Sequence, residues 1–156
     1  MSVLLPLDLN FMAKVELGRI PLFGIFFRTI DISVDRKNAI QSAKAYKRAI
    51  AQLKNNIRSI VVFPEGGIKH NEPTISNFKD GAFKMAVENG VEILPVTITD
   101  NWHLGPSDAF DGHPGQMRIL VHSPIETKNL TDENVPELKK NIHEMMQGKL
   151  DEYWKK

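Results

Sequence analysis

"IRSIVVFPEGGIKHNEPTISNFKDGAF", Ile57 to Phe83, carries the reading of the whole chain. Its first part, Ile57 to Phe63, is an apolar run interrupted only at Arg58-Ser59, the pattern of a strand buried on both faces of a parallel sheet. The run then turns through Pro64-Glu65-Gly66-Gly67. In an open α/β sheet, ligands collect at the carboxyl ends of strands. Glycines there let backbone N–H groups approach an anion closely. The tetrapeptide taken alone reads first as a strand-to-loop turn in which glycine supplies a positive φ.

On the C-terminal side, Asp80 to Gly90 reads as a helix closed by its glycine. Glu92 to Thr99 and Met117 to Ser123 read as buried strands, and Asn101 to Gln116, rich in Gly, Pro and Asp, as a surface loop. From Thr131 a capped amphipathic helix is expected to pack on the domain through Ile142, Met145, Met146, Leu150 and Trp154. On the N-terminal side, Leu9 to Lys14 is a short strand, and Ile20 to Ile30 is strongly apolar with Pro21 placed for a helix start. Asp31 to Val34 is strand-like. Asn38 stands where a helix N-cap would, ahead of a helix over Ala39 to Leu53 whose apolar face is Ile40, Ala43, Ala49, Ile50 and Leu53. Strands alternating with helices predict an α/β fold with a mixed, largely parallel sheet flanked by helices. No repeat or linker divides the chain, so a single domain over 1–156 is expected.

Composition bounds the function. With 156 residues, 42% hydrophobic and 25% charged, the chain is long enough for a real core. A net charge of +1 gives no global reason to expect nucleic acid. Cysteine is absent, which excludes disulfides, thiol catalysis and Cys-based zinc sites. His70, His122 and His143 have no ligand spacing to one another, so neither a metal nor a cofactor is expected. No run of apolar residues is long enough to span a bilayer. The opening "MSVLLPLDLNFMAK" is broken by Pro6, Asp8 and Asn10 and lacks a basic n-region, so it does not read as a signal peptide.

The blocks around the opening stretch occur in a particular order. Lys14-Val15-Glu16-Leu17 is followed by Pro21 and Gly24, then Val34-Asp35-Arg36, then Phe63-Pro64-Glu65-Gly66. Phe78-Lys79-Asp80-Gly81-Ala82-Phe83 and the strand with Leu94-Pro95-Val96 follow. Over Leu9 to Ile98 this set resembles the glycerolipid acyltransferases, the lysophosphatidate (1-acylglycerol-3-phosphate) acyltransferase family. The resemblance implies transfer of an acyl chain from acyl carrier protein or acyl-CoA to a lysophospholipid acceptor, in phospholipid biosynthesis. It also implies peripheral association with the cytoplasmic face of a membrane surface.

The family's catalytic pair, H-x-x-x-x-D, stands upstream of the block that holds Lys14. The histidine is its general base and the aspartate orients the ring. This chain has no histidine before His70. The expectation is therefore a truncated N-terminus or misassigned start, and a chain inactive or incomplete as it stands. The alternative is a non-catalytic lipid- or phosphate-binding relative. His103 and Asp108 repeat the spacing, but in a Gly-Pro loop after the Phe63-Pro64-Glu65-Gly66 block, where a surface histidine is the better reading.

For substrate binding the resemblance implies Lys14, Arg36, Glu65 and the backbone at Gly66 and Gly67. The family arginine after E-G-T is replaced by Ile68, and Lys69 next to it is the available cation. A lysine cannot reproduce a bidentate guanidinium fork. Lys69 and Arg28 are equally well read as solvated surface charges. Leu22, Phe23, Phe26 and Phe27 suit a wall for a fatty chain, or plain core.

Overall fold

Strand β1, Leu9–Lys14, is the centre of a small parallel sheet. In the computed structural model of the chain the described residues are 8–14, 32–34, 39–55, 58–67, 73–104, 112 and 114–154. They fall into two compact units, Met1–Phe63 and Pro64–Lys156. The helix expected over Ile20 to Ile30 and the N-cap at Asn38 lie outside the described residues.

In the first unit the order is β1, β2 (Ile32–Val34), α1 (Ala39–Lys54) and β3 (Ser59–Val61). The sheet order is β2-β1-β3. Lys14 pairs with Val34, and Phe11 with Val61, both in parallel register. Asn10, at 1% exposure, is a buried polar residue on β1 that is fully tied. Its amide donates to Gln52 of α1 at 2.7 Å, and its oxygen accepts from Arg58 at 3.0 Å. Arg58 also pairs with Asp8 at 3.1 Å, which accounts for the polar interruption at the start of the apolar run.

Two expectations fail in this unit. Helix α1 buries Ala49 and half-buries Ile50 and Leu53 as expected, but Ile40 is 70% exposed and Ala43 is exposed, and Ala45, outside the expected face, is buried. Strand β3 is not buried on both faces: Ser59 is exposed, Ile60 and Val61 are half-buried, and Phe63 is 53% exposed. Among the described strands β3 is an edge, and the chain leaves the ladder before Pro64, which has no N–H to donate.

In the second unit α2 (Gly81–Asn89) ends as expected, with Gly90 at φ 59° and its N–H returned to the helix. Strands β4 (Val96–Ile98) and β5 (Ile119–Val121) pair antiparallel. Pro95 interrupts the longer strand expected there and leaves a separate bridge between Ile93 and Ile125. The stretch expected to be wholly irregular begins with a helical turn, α3 (Asn101–Leu104), whose N–H groups at His103 and Leu104 bond to the Asp100 carbonyl. A 3₁₀ turn at Asp132–Asn134 leads into α4 (Val135–Trp154). The core is α2 against α4. Phe78, Phe83 and Val87 meet Val135, Leu138 and Ile142. The fold is α/β with mixed strand directions.

Candidate functional site

The turn after β3 is held by three local devices. Gly66 sits at φ 81°, a backbone that a side chain would strain. The Glu65 carboxylate accepts the Ser76 N–H at 2.7 Å. The Lys79 N–H donates to the Pro64 carbonyl at 2.8 Å. Residues 64–67 and 76–79 are thereby laced together. A Cβ added at Gly67 would meet nothing within 4 Å, so there is room for a side chain at that position. Ser76 itself is buried, and its hydroxyl has no hydrogen-bond partner among the described residues.

The C-terminal helix holds the other edge of this loop. The Gln147 amide oxygen accepts the Ile75 N–H at 2.8 Å, and its NH₂ donates to the Pro73 carbonyl at 3.2 Å. His143 Nε2 lies 3.0 Å from the Ile75 carbonyl, which only accepts, so that nitrogen carries the proton. The His143 ring meets Phe78 edge-on at 5.0 Å between centroids. Phe78, His143, Asn77, Lys139, Lys140 and Glu144 line a surface groove of about 310 Å³. Lys139 is engaged there with Asp80 at 2.6 Å, which pulls the Asp80 carboxyl below its usual range.

Of the residues singled out by sequence, Glu65, Gly66 and Gly67 stand together at this turn. Lys14 ends β1 beside Val34, so the carboxyl ends of β1 and β2 are neighbours in the first unit. Arg36, Lys69 and Arg28 lie outside the described residues, as do Leu22, Phe23, Phe26 and Phe27. In the Phe78–Phe83 block the aromatic residues are core, stacked at 5.8 Å, so that motif builds the scaffold under the loop. His103 is exposed on α3, with its ring 5.6 Å from Trp102 and 5.9 Å from Trp154. Asp108 is outside the described residues.

A second carboxylate follows a strand, and sequence reading passed over it. Asp100, 3% exposed, follows β4. It pairs with the Arg118 guanidinium through both oxygens, accepts the Arg118 backbone N–H at 2.7 Å and the Thr99 hydroxyl at 2.9 Å. The Arg118 hydrogen bonds hold its carboxyl at about 2. Arg118 in turn lies 4.9 Å over Tyr153 and 5.2 Å over Trp154, whose indole N–H donates to the Thr99 carbonyl at 2.9 Å. Thr97 meets His122 at 2.9 Å, and burial pushes the His122 ring down from its ordinary value.

Among the described residues no group of three His, Asp or Glu side chains could hold a metal, and no helix is long and apolar enough to cross a membrane.

Comparison with known proteins bears on the same stretch. Residues 1–99 match the family model described as Acyltransferase. The 1-acyl-sn-glycerol-3-phosphate acyltransferase of Saccharomyces cerevisiae is 28% identical over 142 residues, 90% of this chain and 47% of the yeast protein. The protein of the same name from Haemophilus influenzae is 29% identical, over 89% of this chain and 57% of its own length. The crystal structure of the 1-acyl-sn-glycerophosphate (LPA) acyltransferase PlsC from Thermotoga maritima superposes with a TM-score of 0.74 at 30% identity, covering 92% of this chain and 56% of that one. The chain thus spans about half the length of the curated relatives it matches.

Proposed function

We propose, from the premise that this chain belongs to the Acyltransferase family, that its loop at Glu65–Gly67 forms part of the binding site for a 1-acylglycerol-3-phosphate-like acceptor in phospholipid biosynthesis. The observation that carries this reading is the Glu65 carboxylate bound to the Ser76 N–H beside Gly66 at φ 81°. A carboxylate used in this way shapes the loop and leaves anion binding to the glycine backbone and to cations. Lys14 and Arg36 are the cations proposed to meet the acceptor's phosphate, with Lys69 as a third. The relatives named above carry acyltransferase names, which supports the reaction class.

The donor in this reading is an acyl thioester, on acyl carrier protein or coenzyme A. The attacked bond is its thioester C–S bond: the acceptor hydroxyl adds to the carbonyl, loses its proton to a base, and the thiol leaves. No histidine stands before His70 to be that base. Residues 1–156 by themselves are therefore proposed to bind acceptor without turning it over. The site would work at the cytoplasmic face of a membrane surface, where its lipid substrate resides.

Calorimetric titration with lysophosphatidate, and with a monoacylglycerol of the same chain length, tests the reading. Lysophosphatidate is expected to bind at least about tenfold more tightly, an ordinary return for a phosphate meeting several N–H and cationic donors. Equal affinities would overturn it. Thioester consumption by residues 1–156 at an enzymatic rate would overturn the claim of binding without turnover.

A further inference from the structure

The stretch that matches the family model stops at residue 99, yet the candidate loop is bound to a helix well beyond it. Gln147 and His143 lie one turn apart on α4, on a single face of that helix. Gln147 presents an acceptor to the Ile75 N–H and a donor to the Pro73 carbonyl, at 2.8 and 3.2 Å. A carboxamide bonded to residues i and i+2 of an extended segment imitates a neighbouring strand. His143 takes the Ile75 carbonyl from the same side at 3.0 Å. The next residue, Ser76, gives its N–H to Glu65. The path is continuous: α4, then Pro73–Ile75, then Ser76, then the Glu65 carboxylate and Gly66.

The Gln147 side chain is itself oriented. Its NH₂ also donates to Asp151 at 2.7 Å, one further turn along α4. Phe78, packed edge-on against His143, fixes the far end of the segment. A loop whose backbone groups must converge on an anion gains nothing from flexibility, since ordering it on binding costs free energy.

We propose that Gln147, seconded by His143, is a positioning residue for the acceptor's phosphate. It acts through Ser76 and Glu65 to hold the Gly66–Gly67 backbone ready. The inference rests on the acceptor-binding reading above.

The test compares wild type with Gln147→Leu, which keeps size and removes the hydrogen bonds to Ile75, Pro73 and Asp151, and Gln147→Glu, which keeps the acceptor for Ile75 but loses the donors to Pro73 and Asp151 and sets a carboxylate against that of Asp151. Each is titrated with lysophosphatidate and with monoacylglycerol, and backbone amide exchange is followed at 65–67, 74–79 and 81–89. Gln147→Leu is expected to weaken lysophosphatidate by about tenfold, the worth of the two ordinary hydrogen bonds to the loop, and Gln147→Glu, with a carboxylate facing the Pro73 carbonyl and Asp151, at least as much. Monoacylglycerol binding stays unchanged. Exchange at Ile75 and Ser76 accelerates while helix α2 keeps its protection.

Wild-type lysophosphatidate affinity in Gln147→Leu overturns the inference. Equal weakening of both ligands, with exchange raised through α2, also overturns it and assigns Gln147 a purely structural part. Absence of any phosphate preference in the wild type sinks the acceptor reading first, and this inference with it.

Discussion

Among the described residues two carboxylates, Glu65 and Asp100, follow a strand, and they do different things. Asp100, after β4, is buried and saturated: one guanidinium, one backbone N–H and one hydroxyl converge on it. Glu65, after β3, is half-buried, and the partner described for it is the neutral N–H of Ser76. A strand-end carboxylate is therefore not by itself a functional sign. What separates the two is the partner. The arginine turns Asp100 into a fastener for the end of α4, through Trp154 and Tyr153. The backbone bond turns Glu65 into a shaper of a glycine loop.

The comparison breaks most visibly if the fastener proves unimportant. Arg118→Ala leaves a buried carboxylate without its counter-ion, and urea denaturation should show the largest loss of stability among these variants. Lysophosphatidate affinity should not change. An equal loss of affinity in Arg118→Ala and Glu65→Ala would erase the distinction.

Acid sharpens the same point. The Asp100 carboxyl is held at about 2, below the ordinary carboxyl value of 3.8. A carboxyl depressed in the folded state contributes stability that is complete above its unfolded value and is lost as pH falls toward the folded one. Thermal unfolding should therefore show wild type losing stability between about pH 4 and pH 2, in the range set by those two values. Asp100→Asn should start lower and lack that component of the slope. A parallel pH dependence in the two proteins would contradict the assignment.

Glu65→Ala should cost about 1.5 kcal/mol of stability, the low end for one hydrogen bond to a charged group, as its half-buried site requires, but should weaken lysophosphatidate by about tenfold. Glu65→Gln, which keeps a carbonyl oxygen for the Ser76 N–H, should recover most of both. The smallest effects distinguish the two glycines. Gly66→Ala places a Cβ at φ 81° and should cost about 1 kcal/mol by thermal unfolding. Gly67→Ala, with nothing within 4 Å of the new Cβ, should be close to neutral for stability.

Much of the scaffold was legible because its signals are local. β1 runs over Leu9–Lys14 as the apolar pattern indicates, and α2 stops at Gly90 because a left-handed residue ends a helix there. The face of α1 is legible at Ala49, but its start is not: Ile40 dominates the apolar pattern and is exposed, whereas Ala45 is buried. Small residues permit close approach but carry little weight in a hydrophobic pattern. Strand β3 looked doubly buried because apolar residues alone do not reveal that a strand lies at an edge.

The candidate site divides in the same way. Glu65 and Gly66 could be read because turn chemistry is set by neighbouring residues. Gln147 and His143 could not, since they reach Ile75 across 72 and 68 residues. A polar side chain on an amphipathic helix reads as solvent-facing until its partner is known. Asp100 had one available signal, its place after an apolar strand, which it shares with Glu65. Only the structure brings Arg118, 18 residues away, onto it.

The most direct measurement is the amide spectrum of the isotopically labelled chain titrated with lysophosphatidate. The account predicts shifts at Gly66, Gly67 and Ser76 that saturate with the calorimetric affinity, while Asp100 and Arg118 stay in place. Shifts confined to Asp100 and Arg118, or no shift at Gly66 and Gly67 on saturation, would contradict it.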